Sequence, residues 1–162
     1  MQFYQGIFTE KAIFGEAQNA TKGEYQGVVY HTDHVAGPML EESKTTSSSL
    51  GKAPGNIPFY QQRQVMGYMK AEGLTKARFI IWYKSGNYKP PTQPDLAVWD
   101  VIVDPDGINA NWDWMLERRQ ILMTHVEGKT IPTPYAYRAL GDMECDGCQF
   151  AMLCQSEVQG LA

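Results

Sequence analysis

The residues best suited to chemistry lie between positions 33 and 68: Asp33, the run Glu42-Ser43-Lys44, and the pair Gln64 and Tyr68. Strand side chains alternate between two faces, so in Met39-Leu-Glu-Glu-Ser-Lys44 positions 40, 42 and 44 share one face. Glu42 and Lys44 then project side by side. Asp33 closes the preceding apolar run, Val28-Val-Tyr-His-Thr-Asp33, and Gly37-Pro38 breaks the chain between the two runs. The break predicts a hairpin that returns Glu42 to the side of Asp33. Two carboxylates held together repel, and a hard divalent cation relieves that repulsion; oxygen donors of this kind suit Mg²⁺ or Mn²⁺. A lysine beside such an ion can orient a water and offset charge developing on a phosphate. The run Tyr60-Gln-Gln-Arg-Gln64-Val-Met-Gly-Tyr68-Met69 reads as a helix, on which Gln64 and Tyr68 are four residues apart and share a face.

Taken in order, Asp33, then Glu42-Ser43-Lys44-Thr-Thr, then a helix with Gln64-x-x-x-Tyr68 resembles the RecB-like branch of the PD-(D/E)XK nuclease superfamily. That branch includes the AddB nuclease domain and the CRISPR-associated RecB-like exonucleases, and the resemblance spans roughly residues 8 to 154. It implies an α/β fold with a restriction-endonuclease-like core, a mixed central β-sheet flanked by helices, in one domain over residues 1–162. It implies metal-dependent hydrolysis of DNA phosphodiesters, as an exonuclease on single-stranded DNA or DNA ends. The ligands of Mg²⁺ or Mn²⁺ would be Asp33, Glu42 and the Ser43 backbone carbonyl. Lys44 would orient the attacking water, and Gln64 and Tyr68 would align the strand. Family members serve DNA repair, phage recombination and CRISPR adaptation, so DNA and the proteins of such complexes are the expected partners. Relative to the family, the chain opens on the first strand, without the upstream helices that carry a histidine and, in iron–sulfur members, one cysteine.

Two further residues are candidate contacts to DNA. Alternation puts His31 on the same face as Asp33 and His34 on the other. Arg63 precedes Gln64 on the helix. All three cysteines fall in Cys145-Asp-Gly-Cys148-Gln-Phe-Ala-Met-Leu-Cys154. C-x2-C is a metal-binding spacing, since both thiolates reach one ion across a tight turn. The resemblance assigns C-x2-C-x5-C to three ligands of a [4Fe-4S] cluster that staples the domain; with no cysteine before Cys145 a fourth ligand is not found, and Zn²⁺ with a histidine or aspartate is the alternative. The residues leave two other functions open, a non-catalytic DNA-binding or assembly module of this fold and a zinc-stapled structural protein.

The elements that must position these groups follow from pattern. Strands are expected at Gly6–Gly15 and Glu24–Val35 with a turn over Asn19–Gly23, and a loop over 45–57. A helix is expected from Pro58 to Glu72, where a proline in the first turn suits a start. Ala77–Lys84 and Leu96–Val103 are continuously apolar and read as buried strands. A helix over 109–127 carries an apolar stripe through Trp112, Met115, Leu116, Leu122, Met123 and Val126, with Arg118-Arg119 solvated. At 162 residues, 43% hydrophobic and 20% charged, the chain suits one folded domain. It shows neither a signal-peptide pattern nor an apolar run of membrane-spanning length, so a cytoplasmic protein is expected. The net charge of −4 excludes a generally basic nucleic-acid binder, so any DNA contact must be local.

Overall fold

The computed structural model describes residues 21–48, 57–86, 93–130 and 148–158. The first expected strand, Gly6–Gly15, and most of the 45–57 loop lie outside them. The chain divides into two compact units, residues 1–113 and 114–162, with the boundary inside one long helix.

In the first unit β1 (Thr21–Tyr25) and β2 (Val28–Thr32) form an antiparallel hairpin. Its turn falls at Gln26-Gly27, not at Asn19–Gly23. Both residues have positive φ, 50° and 76°, which a two-residue type I′ turn requires. The second expected strand, 24–35, is likewise broken. It bends at Asp33 and resumes as β3 (His34–Ala36), which belongs to a different sheet.

That second sheet has the order β3-β4-β5-β6, with β4 at Met39–Thr46, β5 at Lys76–Tyr83 and β6 at Asp95–Ile102. β3 and β4 form the expected hairpin: Ala36 pairs with Met39 and His34 with Glu41. The turn between them holds Gly37 at φ 57°, followed by proline, the combination a type II′ turn accepts. β4 runs parallel to β5, and β5 antiparallel to β6. The architecture is therefore α/β, a mixed four-stranded sheet flanked by helices.

Parallel neighbours need a crossover. Here it is α1 (Phe59–Glu72), close to the span expected from sequence. The Pro58 carbonyl accepts the N–H groups of Gln61 and Gln62 at 3.0 and 3.1 Å. The helix stops at Gly73, whose left-handed φ of 69° lets the Leu74 N–H return to the Met69 carbonyl at 2.8 Å. α1 lays Val65 and Met69 into a core with Leu40, Phe79, Ile81 and Tyr83. α2 (Pro105–Gly128) starts earlier than the expected 109. Pro105 occupies the first turn, and the Asp104 carboxylate caps it by accepting the Gly107 N–H at 2.8 Å. Asn111 ties α2 to α1, donating to the Arg63 carbonyl at 3.0 Å. Trp112 holds the hairpin, donating to the Gln26 side chain at 2.7 Å with its rings 5.3 Å from Tyr25.

The two apolar strands are not equally buried. β5 is a core strand, but β6 alternates: Ala97, Trp99 and Val101 pack on the core, whereas Leu96, Val98 and Ile102 are 50–75% exposed. On that outer face Asp100 forms a bidentate pair with Arg78, at 2.7 and 3.0 Å.

The second unit contains the remainder of α2 and α3 (Ala151–Val158). Of the expected apolar stripe, Leu122 and Val126 are 49% and 58% exposed, so the pattern continues past the part of the helix that packs. Arg118 lies over the Trp114 ring at 5.9 Å, and an open groove of about 340 Å³ runs between Trp114, Arg118, Arg119 and Leu122.

The difference between β5 and β6 is measurable. Phe79 is fully buried, so Phe79→Ala is expected to cost about 3–5 kcal/mol in denaturant unfolding. Val98→Ala, on the exposed side of β6, is expected to stay within about 0.5 kcal/mol. Equal losses would mean that β6 is buried on both faces.

Candidate functional site

The site grows from β4. Leu40 is fully buried, Glu42 is 2% exposed, and Lys44 is half-buried on the same face, as period-two alternation requires. A carboxylate that deep needs a partner. Lys44 Nζ supplies it, 2.5 Å from Glu42 Oε1. The lysine also donates to Gln64 Oε1 at 3.2 Å, and Gln64 Nε2 donates to the Tyr68 hydroxyl at 2.7 Å. A continuous polar chain thus runs Glu42–Lys44–Gln64–Tyr68, from the buried strand to the accessible side of α1.

Asp33 joins from the other strand of the β3–β4 hairpin. With His34 opposite Glu41, the next pair out sets Asp33 against Glu42, and Asp33 Oδ2 accepts the Ser43 N–H at 2.8 Å. All five of Asp33, Glu42, Lys44, Gln64 and Tyr68 therefore converge, with the Ser43 backbone between the two carboxylates.

The electrostatics are those of charge withheld from water. Burial pushes the Asp33 pKa above the usual carboxylate value, and the Ser43 N–H and the Lys44 charge offset only part of this. Burial opposes the charge on Lys44, but the Glu42 carboxylate, with help from Asp33 and Tyr68, outweighs it and holds the ammonium above its ordinary pKa. The Tyr68 hydroxyl is raised, mainly by burial. Lys44 is therefore a firm cation and Tyr68 a neutral donor at neutral pH.

The donor set suits a hard divalent cation. It consists of two adjacent acidic groups and a backbone carbonyl, all oxygen, and Mg²⁺ commonly uses one or two carboxylates with water completing its shell. Among the described residues there is no group of three or more His, Cys, Asp or Glu side chains that could hold a metal. The chain bends at Asp33, and His31 stays on β2, exposed and paired in register with Lys22. His34 sits 3.9 Å from Glu41. Arg63 turns from the cleft toward α2, its guanidinium 4.7 Å over the Phe59 ring and 3.5 Å from Asn111 Oδ1. Of the cysteines, Cys148 is exposed with a free thiol, Cys154 falls within α3, and Cys145 lies outside the described residues.

Two residues at the site escape the sequence reading. Tyr30 of β2 reaches α1, its ring centroid 6.3 Å from that of Tyr68. Partial burial and the neighbouring Glu72 carboxylate raise its hydroxyl pKa. Glu72 continues the i, i+4 stripe of Gln64 and Tyr68 by one more step, and Tyr60 begins it. That spacing was the available signal.

No protein-family model and no curated protein matches this chain. A solved structure described as "Crystal structure of SSO0001" is similar in fold, with a TM-score of 0.51 at 15% identity over 96% of this chain and 68% of that one. Among the described residues no helix is long and apolar enough to cross a membrane.

Asp33 gives the site a pH signature. A carboxyl with a raised folded pKa contributes fully to stability below its unfolded pKa of about 3.9, and the contribution is lost as pH rises through the folded value. An asparagine in its place would keep an acceptor for the Ser43 N–H without the buried charge. Asp33→Asn is therefore expected to raise the unfolding midpoint at pH 7 in EDTA, with the gain shrinking toward pH 3. A variant less stable than wild type at pH 7 would show that the ionised Asp33 is favoured by its surroundings.

Proposed function

We propose that this protein is a Mg²⁺- or Mn²⁺-dependent deoxyribonuclease that hydrolyses phosphodiester bonds in single-stranded DNA or at DNA ends. The observation that carries the reading is the convergence of the polar chain Glu42–Lys44–Gln64–Tyr68 with Asp33, which joins it through the Ser43 N–H, on the hairpin, strand and helix that adjoin the core. Asp33, Glu42 and the Ser43 carbonyl would hold the cation, which when bound supplies Lewis-acid activation of the phosphate and of the attacking water.

The chain's own residues do the rest. Lys44, kept charged by Glu42, stabilises the negative charge that builds on the phosphoryl oxygens and orients the water with its one remaining N–H. Gln64 fixes the lysine's direction through its side-chain oxygen while its amide engages Tyr68. Tyr68 presents a neutral hydroxyl toward the strand. The hydrophobic core beneath β4 keeps water from the buried side of Glu42.

The fold fits this reading, as does the order of the motif along the chain. The cysteine run belongs to the same proposal, with Cys145, Cys148 and Cys154 as ligands of an iron–sulfur cluster or of Zn²⁺. Iron and zinc content of purified protein reads this out.

The test is digestion of end-labelled single-stranded DNA with Mg²⁺ or Mn²⁺. Wild type is expected to cut, EDTA to abolish cutting, and Lys44→Ala to slow it by about 10²–10³-fold, the loss typical of a removed transition-state donor. A folded wild type that binds DNA but leaves it intact would favour a non-catalytic binding module of the same fold.

A further inference from the structure

Three tyrosines lie along the polar chain, one of them its last member, and the mechanism uses only that one. Tyr60, Gln64 and Tyr68 follow one another at i, i+4 and i+8 along α1. Tyr60 and Tyr68 are thus separated by about 12 Å of helix rise, with Gln64 and its bond to Lys44 between them. Tyr60 is 43% exposed, a large ring left open to solvent. Tyr30 extends the strip from the β1–β2 hairpin and meets Tyr68 at a 40° tilt.

The hairpin also fixes Tyr30. Its cross-strand partner is Gly23, and a Cβ there would lie 2.5 Å from the Tyr30 ring. The ring therefore lies across the glycine backbone, an arrangement that pins a cross-strand aromatic. The hairpin is itself held by Trp112 through Gln26 and Tyr25. An aromatic strip with Tyr60 exposed and Tyr30 and Tyr68 partly buried, on such supports, can meet flat, apolar surfaces.

We propose that Tyr60 and Tyr30 are base-stacking residues that bind unpaired nucleobases on either side of Gln64 and Lys44 and so select single-stranded DNA. The inference rests on the nuclease reading for its choice of ligand. Unpaired bases offer open faces that any aromatic ring can stack on, whereas duplex bases are already stacked on their neighbours. The chain's charge of −4 points the same way. An acidic protein gains little from the phosphate backbone as a whole, so contacts that do not depend on charge must supply affinity. A strip of tyrosines with polar tips supplies such contacts, and it continues directly into the site that would act on the phosphate.

The experiment is equilibrium binding of a fluorescent single-stranded oligonucleotide and of the matching duplex, in EDTA so that no cutting occurs. Four variants are compared with wild type: Tyr60→Leu, Tyr60→Phe, Tyr30→Leu and Tyr30→Phe. Wild type is expected to prefer the single strand, with a shallow salt dependence. Each leucine variant should lose about 5- to 150-fold in single-strand affinity, the worth of one stacked base. The phenylalanine variants should bind like wild type, and duplex affinity should not change. The exposed position of Tyr60 makes Tyr60→Leu informative even if Tyr30→Leu unfolds. The proposal is overturned if Tyr60→Leu binds single strands as tightly as wild type, if it loses duplex and single-strand affinity alike, or if wild type shows no preference. The nuclease reading fails separately: the expected binding pattern without metal-dependent cutting would leave the stacking strip standing and remove the catalysis.

Discussion

The structure turns on a carboxylate buried in the middle of β4, next along its face from a core leucine. Glu42 is 2% exposed and sits two residues from Leu40, the centre of the core. An ionised carboxylate at that depth costs several kcal/mol unless a partner of opposite charge is supplied. Of its two neighbours on the same face of β4, Leu40 is part of the core, and Lys44 supplies the partner at 2.5 Å. The strand therefore carries its own counter-ion. The surroundings follow from that pair. Lys44 has donors to spare, Gln64 takes one, and Gln64 can do so only if α1 crosses the sheet with that face toward β4. The crossover joining parallel β4 and β5 thus serves both the packing of Val65 and Met69 and the completion of the polar chain.

Asp33 adds a second acidic group at a point where the backbone changes sheets. The bend there ends β2 and starts β3, and the Ser43 N–H holds the carboxylate across the turn. A strand that ran straight through would have carried His31 and Asp33 on one face. The break instead frees the preceding hairpin to swing against α1 and α2, where Tyr30 meets Tyr68 and the Gln26 turn meets Trp112. One kink therefore separates the residue that faces the carboxylates from the residues that form the adjoining wall.

The parts of this arrangement that were legible in the sequence are the parts fixed by short periods. Glu42 and Lys44 are related by the strand repeat of two, Gln64 and Tyr68 by the helix repeat, and Gly37-Pro38 marks the turn that brings Asp33 in; each survives any tertiary context. What was not legible depends on neighbours distant in the chain. Leu96-Ala-Val-Trp-Asp-Val-Ile and Phe79-Ile-Ile-Trp-Tyr are both strongly apolar, yet one is open on its outer face and the other is central, because strand order decides burial and composition does not encode it. Tyr30 was hidden for the same reason: its partner Tyr68 is 38 residues away and reached through a turn at Gln26-Gly27. The start of α2 is a different case, since Asp104-Pro105 is a capping signal available from sequence and outweighed in the reading by the apolar stripe further on.

Charge connects these local facts to the proposed substrate. Asp33, Glu42 and Lys44 leave the site with one surplus negative charge when all are ionised, on a chain whose overall charge is −4. A phosphodiester would approach against that field. Two features of the molecule oppose the repulsion by different physics: an oxygen-rich pair of acidic groups that suits a divalent cation, and tyrosines whose stacking is indifferent to phosphate charge. On the proposed reading the first would act at the scissile phosphate and be lost with the cation, and the second would act on the bases and persist without it. Binding and cutting would then be separable, because the interactions proposed to hold an unpaired strand are not the ones proposed to break it.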